Sequence, residues 1–234
     1  MTISDPGRLV VKHSPTPELT LTVFHPLEYP EFVPMLREMP SLHGAAGLSA
    51  VLTNVSPHRV TAVVAHWNYL DYRNTPRGKY VVLDSYSSLG ARKPLEPGGR
   101  LLVTLSGLSP PFDVTRPHAV VWSGNNLVHG ASGFTVGIDS AVFENARIAG
   151  ADTFHIADYV HGRYAAMQWL AEQVMVAEAA GENVSAVLAA IKRSEAVNEE
   201  QRWRRRLASL ASRHPATAKS WLYLPKPPQF FRSH

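Results

Sequence analysis

Between Ser49 and Tyr72 the chain reads SAVLTNVSPHRVTAVVAHWNYLDY, two runs of alternating apolar residues around a short polar turn. A period of two puts successive side chains on opposite faces of a strand. The pattern predicts two adjacent antiparallel strands, Leu48–Thr53 and Val60–Leu70. In the second, Val60, Ala62, Val64, His66, Asn68 and Leu70 share one face, and Thr61, Val63, Ala65, Trp67, Tyr69 and Asp71 share the other. Both faces begin apolar, as in a central strand covered on one side and partly covered on the other. Trp67 is the expected core anchor, its ring filling the gap of roughly 10 Å between two stacked sheets.

The same period predicts strands at Leu19–Phe24, Tyr80–Tyr86, Arg100–Leu105, His118–Ser123 and Phe134–Phe143. Pro30, Pro34 and Pro40 make residues 28–43 a connection, with one helical turn at Phe32–Glu38. Asn74-Thr-Pro-Arg-Gly78 and Glu96-Pro-Gly-Gly99 read as turns. Six or seven short strands with turns between them suit a sandwich.

Near residue 150 the period changes. Neither Pro nor Gly occurs from Arg163 to Ala180, and Ile156, Val160, Met167, Leu170 and Val174 recur at helical spacing. Asp152 is the expected N-cap and Gly181 the residue just past the helix end. Asn183 is expected to cap a second helix that carries Val184, Val187, Leu188 and Ile191. That helix is read as continuing through Trp203, Leu207 and Leu210 to Arg213, where His214-Pro215 stops it. The two form a hairpin whose apolar stripe must be covered, by the sandwich or by another subunit. The aromatic, proline-rich stretch Trp221–Phe231 is expected to lie extended on a surface. Strands followed by helices, rather than alternating with them, argue for α+β.

With 45% hydrophobic residues among 234, the chain can bury a sizeable core, which excludes global disorder. Cysteine is absent, which excludes a disulfide-stapled scaffold, thiolate zinc sites and a cysteine nucleophile. The net charge of +4 is mild and demands no nucleic-acid partner. Residues 151–234 carry 11 Lys/Arg against 8 Asp/Glu, and the excess gathers around Arg202–Arg206. Met1–His13 has no apolar core of the length a secretory signal needs. No window approaches the roughly 18 apolar residues of a membrane span. The chain is expected to carry no membrane span and no address, hence cytoplasmic by default.

Leu52-Thr-Asn-Val-Ser56 leads into Val60-Thr-Ala-Val-Val-Ala-His-Trp67, and Ile138-Asp-Ser-Ala-Val-Phe-Glu144 is followed by Gly150-Ala-Asp152 and the long helix. This arrangement, over roughly residues 45 to 180, resembles a group of uncharacterised bacterial proteins with an immunoglobulin-like sandwich and a C-terminal helix. The chain departs from the group at Asn145-Ala146, where Asp-Gly is usual. The resemblance implies a fold and no activity. The expected architecture is thus α+β: an antiparallel immunoglobulin-like β-sandwich over 1–150, an α-helical hairpin over 151–214 and an extended Pro/aromatic tail over 215–234.

Eleven histidines raise the question of metal. His155 and His161, either side of Asp158, are six apart, about 240° round a helix, so they cannot share an ion from one face without a third element. Capping and helix packing are the simpler reading, and no metal or cofactor is expected. His66 with Asp71 and Asp84 could form a polar cluster at a strand end. Ser85, Ser87 and Ser88 lie nearby, but no G-x-S-x-G elbow frames them. Asn54-Val-Ser56 and Asn183-Val-Ser185 match the glycosylation pattern, yet one reads as a turn and the other as a helix cap. The loop Ser123–Gly133 is rich in Gly and Asn but lacks the phosphate-loop signature.

Arg202-Trp203-Arg204-Arg205-Arg206 is the sharpest local signal and the candidate binding site. On a helix Arg202, Arg205 and Arg206 lie together, while Trp203 faces away with Leu207 and Leu210. The cluster could grip phosphates or an acidic partner, or be a solvated face partnered by Glu195, Glu199 and Glu200. The leading expectation is a non-enzymatic binding or assembly module, self-associating or meeting a protein partner through the hairpin and tail. The alternatives are a hydrolase at one end of the sandwich and a nucleic-acid or anionic-surface binder using the basic helix.

Overall fold

Alternation in the sequence becomes two sheets of mainly antiparallel strands. The computed structural model describes residues 9–12, 16–34, 48–86, 93–104, 107–108, 131–212 and 215–232. Its strands are β1 (Val10–Val11), β2 (Leu19–Val23), β3 (Ser49–Asn54), β4 (Val60–Leu70), β5 (Pro76–Asp84), β6 (Arg100–Thr104), β7 (Gly107–Leu108), β8 (Ser132–Phe143), β9 (Arg147–Gly150) and β10 (Phe231–Arg232). One sheet runs β10-β9-β8-β4-β5, with β1 parallel to β8. The other runs β2-β3-β6-β7. The strand expected at His118–Ser123 and the loop up to Gly130 lie outside the described residues.

The chain divides into two compact units. The first comprises Met1–Leu83, Arg92–Phe154 and Phe230–His234, the second Asp84–Ala91 and His155–Gln229. In the first, Leu19, Leu21, Leu52, Leu101 and Val103 of one sheet and Val63, Ala65, Trp67, Phe134, Val136 and Phe143 of the other form one buried cluster. Trp67 is fully buried at its centre, as its place on the alternating strand requires. Phe24, Val51 and Leu102 make a smaller cluster with Tyr29, Phe32 and Val33 of the β2–β3 connection.

The adjacent pair read from Ser49–Tyr72 is a correction. β3 and β4 are consecutive but belong to different sheets: β3 pairs with β2 and β6, and β4 with β8 and β5. The turn between them is a crossover. Asn54 locks it, donating from Nδ2 to the carbonyls of His58 (2.8 Å) and Leu95 (3.0 Å) and accepting from Ser56 N–H and Oγ. The same buried amide closes the glycosylation question at this site.

Three register irregularities change the face that β4 and β8 present, at Val60/Ala62, Val64/Ala65 and Asn68/Leu70. Val60 pairs with Phe143 and Ala62 with Val142, which leaves Thr61 extra on β4. Val64 pairs with Ser140 and Ala65 with Ile138, which leaves Asp139 extra on β8. An unpaired bulge residue shifts parity by one. Ile138 and Ala141 therefore both reach the core although three apart.

Among its described residues the second unit holds four helices: α1 (Ile156–Ala179), α2 (Val184–Arg193), α3 (Glu199–Ala211) and α4 (Pro215–Ser220). The stripe Ile156, Val160, Met167, Leu170 and Val174 is buried as its spacing implies. Asn183 caps α2, its side chain accepting from the N–H groups of Ser185 and Ala186. Gly181 N–H bonds the carbonyl of Glu178 and Glu182 N–H that of Ala177, the double closure of a Schellman end.

Three expectations fail here. The N-cap residue of α1 is His155, not Asp152. The second helix is broken at Ser194–Asn198: Ser194 Oγ closes α2 on Ile191, and Asn198 opens α3 by accepting from Gln201 N–H. Part of the apolar stripe is covered within the unit itself, where Leu188, Trp203, Leu207, Ala208, Ala211, Ala218 and Trp221 cluster with Met167, Leu170 and Val174. Residues 215–234 are accordingly not extended throughout. They begin with α4 and a 3-10 turn at Trp221–Tyr223, with Trp221 buried, and β10 pairs with β9 in parallel.

Candidate functional site

The polar residues quoted for the resemblance prove to be joints. The Asp139 bulge aims a buried carboxylate at the turn after β9. It accepts from Thr153 N–H (3.2 Å), Phe154 N–H (3.1 Å), Thr153 Oγ1 and Ser140 Oγ (3.3 Å). Gly150 passes so close to β8 that an added Cβ would stand 2.4 Å from the Asp139 carbonyl oxygen. Asp152, the expected cap, is buried with φ 50° and accepts from Arg232 at 2.9 Å.

The hydrolase candidates are each spoken for separately. His66 stacks on Tyr80 (ring centroids 4.3 Å apart, 9° between planes). Burial pushes its imidazole below the ordinary histidine value, against the pull of Asp139. Asp71 holds the turn before β5, accepting from the N–H groups of Arg73 and Thr75 and from Arg77 Nε. These bonds, Thr75 first, pull its carboxyl below the usual range. Asp84 accepts from Arg163 Nη1 at 2.9 Å in the second unit. His155 starts α1 and His161 Nε2 meets the Pro228 carbonyl at 2.9 Å. Among the described residues no three His, Asp or Glu gather as a metal site would need.

The five residues of the basic run divide by face. Trp203 is buried edge-on to Tyr159 (5.0 Å), with the Arg163 and Arg206 guanidinium carbons each 5.1 Å from its ring. Burial first of all pushes the Tyr159 phenol up. Arg204 is half-buried, paired with Glu200 and stacked 4.1 Å over Trp169. Arg202, Arg205 and Arg206 are exposed. Leu207 is buried as expected, but Leu210 stays 39% exposed and so does not share that packing. Arg205 Nε donates to the Lys192 carbonyl at 3.1 Å. That bond lays the exposed end of α2, Lys192 and Arg193, beside the exposed arginines of α3. The enlarged basic edge was invisible in the sequence because its halves are nine or more positions apart.

No family model, curated protein or solved structure matches this chain. The site must therefore be read from its own chemistry. Among the described residues no helix is long and apolar enough to cross a membrane. Two surface clefts mark the sandwich unit. One, about 250 Å³, is lined by Thr16, Glu18, Arg147, Gly150 and Arg232. Its polar groups are consumed internally, with Arg147 on Glu18, Thr16 on Glu18 and Arg232 on Asp152. The other, about 350 Å³, lies on the outer face of the six-stranded sheet.

Proposed function

We propose that this protein is a non-enzymatic binding module: an immunoglobulin-like sandwich bearing a helical unit whose basic edge meets an acidic protein surface. The observation that carries the proposal is the convergence of Lys192 and Arg193 with Arg202, Arg205 and Arg206. Five exposed cations drawn from two helices are more than one solvated helix face supplies. Trp203 beneath them is buried and flanked by Arg163 and Arg206, so it offers no face for base stacking. Glu195 is exposed in the link between the two basic helix ends and Glu200 pairs with Arg204, a mixed pattern that suits a protein surface better than a uniformly anionic bilayer.

The immunoglobulin-like reading draws support from strand order. In the nomenclature of that fold β2, β3 and β6 fit strands A, B and E, and β5, β4, β8 and β9 fit C′, C, F and G. Support for the resemblance comes from Ala146, which holds φ 66° where the resembled group has glycine. Ala146→Gly is expected to stabilise the protein by about 0.5 kcal/mol, relief of left-handed strain set against the looser unfolded chain. Urea unfolding checks the sign.

The functional reading is tested with a glutamate-rich peptide, duplex DNA and anionic vesicles as probes at low and high salt. The peptide should bind, and Arg202→Glu/Arg205→Glu/Arg206→Glu should weaken it by roughly a hundredfold. Equal binding of DNA or vesicles would replace the acidic-protein reading. Unchanged peptide binding by the triple variant would end it.

A further inference from the structure

We propose that the cleft on the outer face of the six-stranded sheet binds a small organic anion, with Lys12 supplying the charge and Asn68 and Thr135 the neutral hydrogen bonds. The site is built across four strands. Asn68 of β4 and Thr135 of β8 are direct cross-strand partners, so their side chains stand together on one face. Lys12 follows β1 and is fixed by its N–H, which donates to the Val136 carbonyl at 2.7 Å. Its stem lies over Gly137, where an added Cβ would come within 3.2 Å of the Lys12 Cβ. On the far side Gly78 of β5 leaves the floor bare, and a Cβ there would stand 3.1 Å from His66 Nε2 and 3.7 Å from Asn68 Oδ1.

Gly78 thus lowers the sheet surface beside a row of polar groups, in a cleft of about 350 Å³ lined by Lys12, Asn68, Leu70, Arg77, Gly78 and Thr135. That is the lower end of the size range for small-molecule sites. Three of the groups facing it, Lys12, Asn68 and Thr135, lack internal partners among the described residues. Among the described residues no carboxylate meets the Lys12 ammonium and no group bonds the Asn68 side-chain amide. The Thr135 hydroxyl is buried with no hydrogen-bond partner there. A buried hydroxyl left unpaired is costly, and because Thr135 lines the cleft, a turn of its side chain would bring the hydroxyl to a ligand atom there. The second cation, Arg77, is held by Asp71 at 2.9 Å, which fixes its position while damping its charge. One undamped ammonium with neutral donors beside it suits a single carboxylate or phosphate group, with Leu70 and Pro76 against the ligand's body.

The experiment is an amide-resolved NMR titration of the full chain with benzoate, inorganic phosphate and uncharged benzamide. Benzoate or phosphate should give saturable shifts confined to Asn68, Gly78, Gly133 and Thr135, and benzamide should not. Lys12→Met, an exposed change, should raise the dissociation constant by about tenfold, the loss of one charge-assisted bond. Thr135→Val should weaken binding and Thr135→Ser restore it, which separates the hydroxyl's role from packing. Non-saturating shifts, equal binding of benzamide, or an unchanged affinity in Lys12→Met would each overturn the proposal.

Discussion

Gly150→Ala should destabilise the sandwich unit by roughly 3–5 kcal/mol, out of proportion to one methyl group. Two costs combine. Gly150 has φ 98°, where an L side chain is strained by about 1–3 kcal/mol. Its Cβ would also stand 2.4 Å from the Asp139 carbonyl oxygen and 3.1 Å from the Ser140 Cα, both main chain. Neither can rotate away, so β8 must shift, at a further 1–3 kcal/mol or so. The shift falls on the Asp139 bulge, whose carboxylate holds Thr153 and Phe154. Gly98→Ala is the control. It has φ 72° but open space around the new Cβ, so only strain of about 1 kcal/mol is expected. Chemical denaturation of the two variants decides the matter. Equal losses would show that the close approach of β9 to β8 contributes nothing.

What was legible in the sequence was what periodicity alone decides. β4 was bounded correctly and Trp67 placed in the core because eleven alternating residues outvote any local exception. The α1 stripe and its Schellman end followed from spacing and Gly181. The failures share a cause: each turns on a partner distant in sequence. Residues 55–59 look alike whether they close a hairpin or cross between sheets, and only the pairing of β3 with β6 and of β4 with β8 distinguishes the two. Asp152 has the composition of an N-cap, but Asp139, thirteen positions earlier, supplies the carboxylate for the turn, and Asp152 turns to Arg232. The break between α2 and α3 carries no Pro or Gly. It is made by Ser194 and Asn198 side chains that compete with the backbone, a signal weaker than the apolar stripe running through it. Of the candidate site, the arginines were visible. Their junction with Lys192 was not.

Asp84 and Arg163 carry the other large expectation. Asp84 is 1% exposed and Arg163 lies half-buried between that carboxylate and the Trp203 ring. Asp84→Ala leaves the guanidinium only Tyr159 and the Trp203 ring, with no carboxylate, and its Nε already lacks a partner among the described residues. Arg163→Met removes the cation facing a carboxylate that cannot reach water. Each single change should cost about 3–5 kcal/mol, because half a buried pair is worse than none. Asp84→Ala with Arg163→Met should cost markedly less than the two losses added, since the flexible thioether keeps contact with Trp203 and no charge is left behind. Thermal unfolding followed by helical circular dichroism gives all three values. Additive losses would mean that Arg163 acts on Trp203 alone and that Asp84 is held by its other neighbours. A coupling of several kcal/mol would make the pair the joint that fixes the Trp203 face of α3, and with it the register of Arg202, Arg205 and Arg206 along the basic edge.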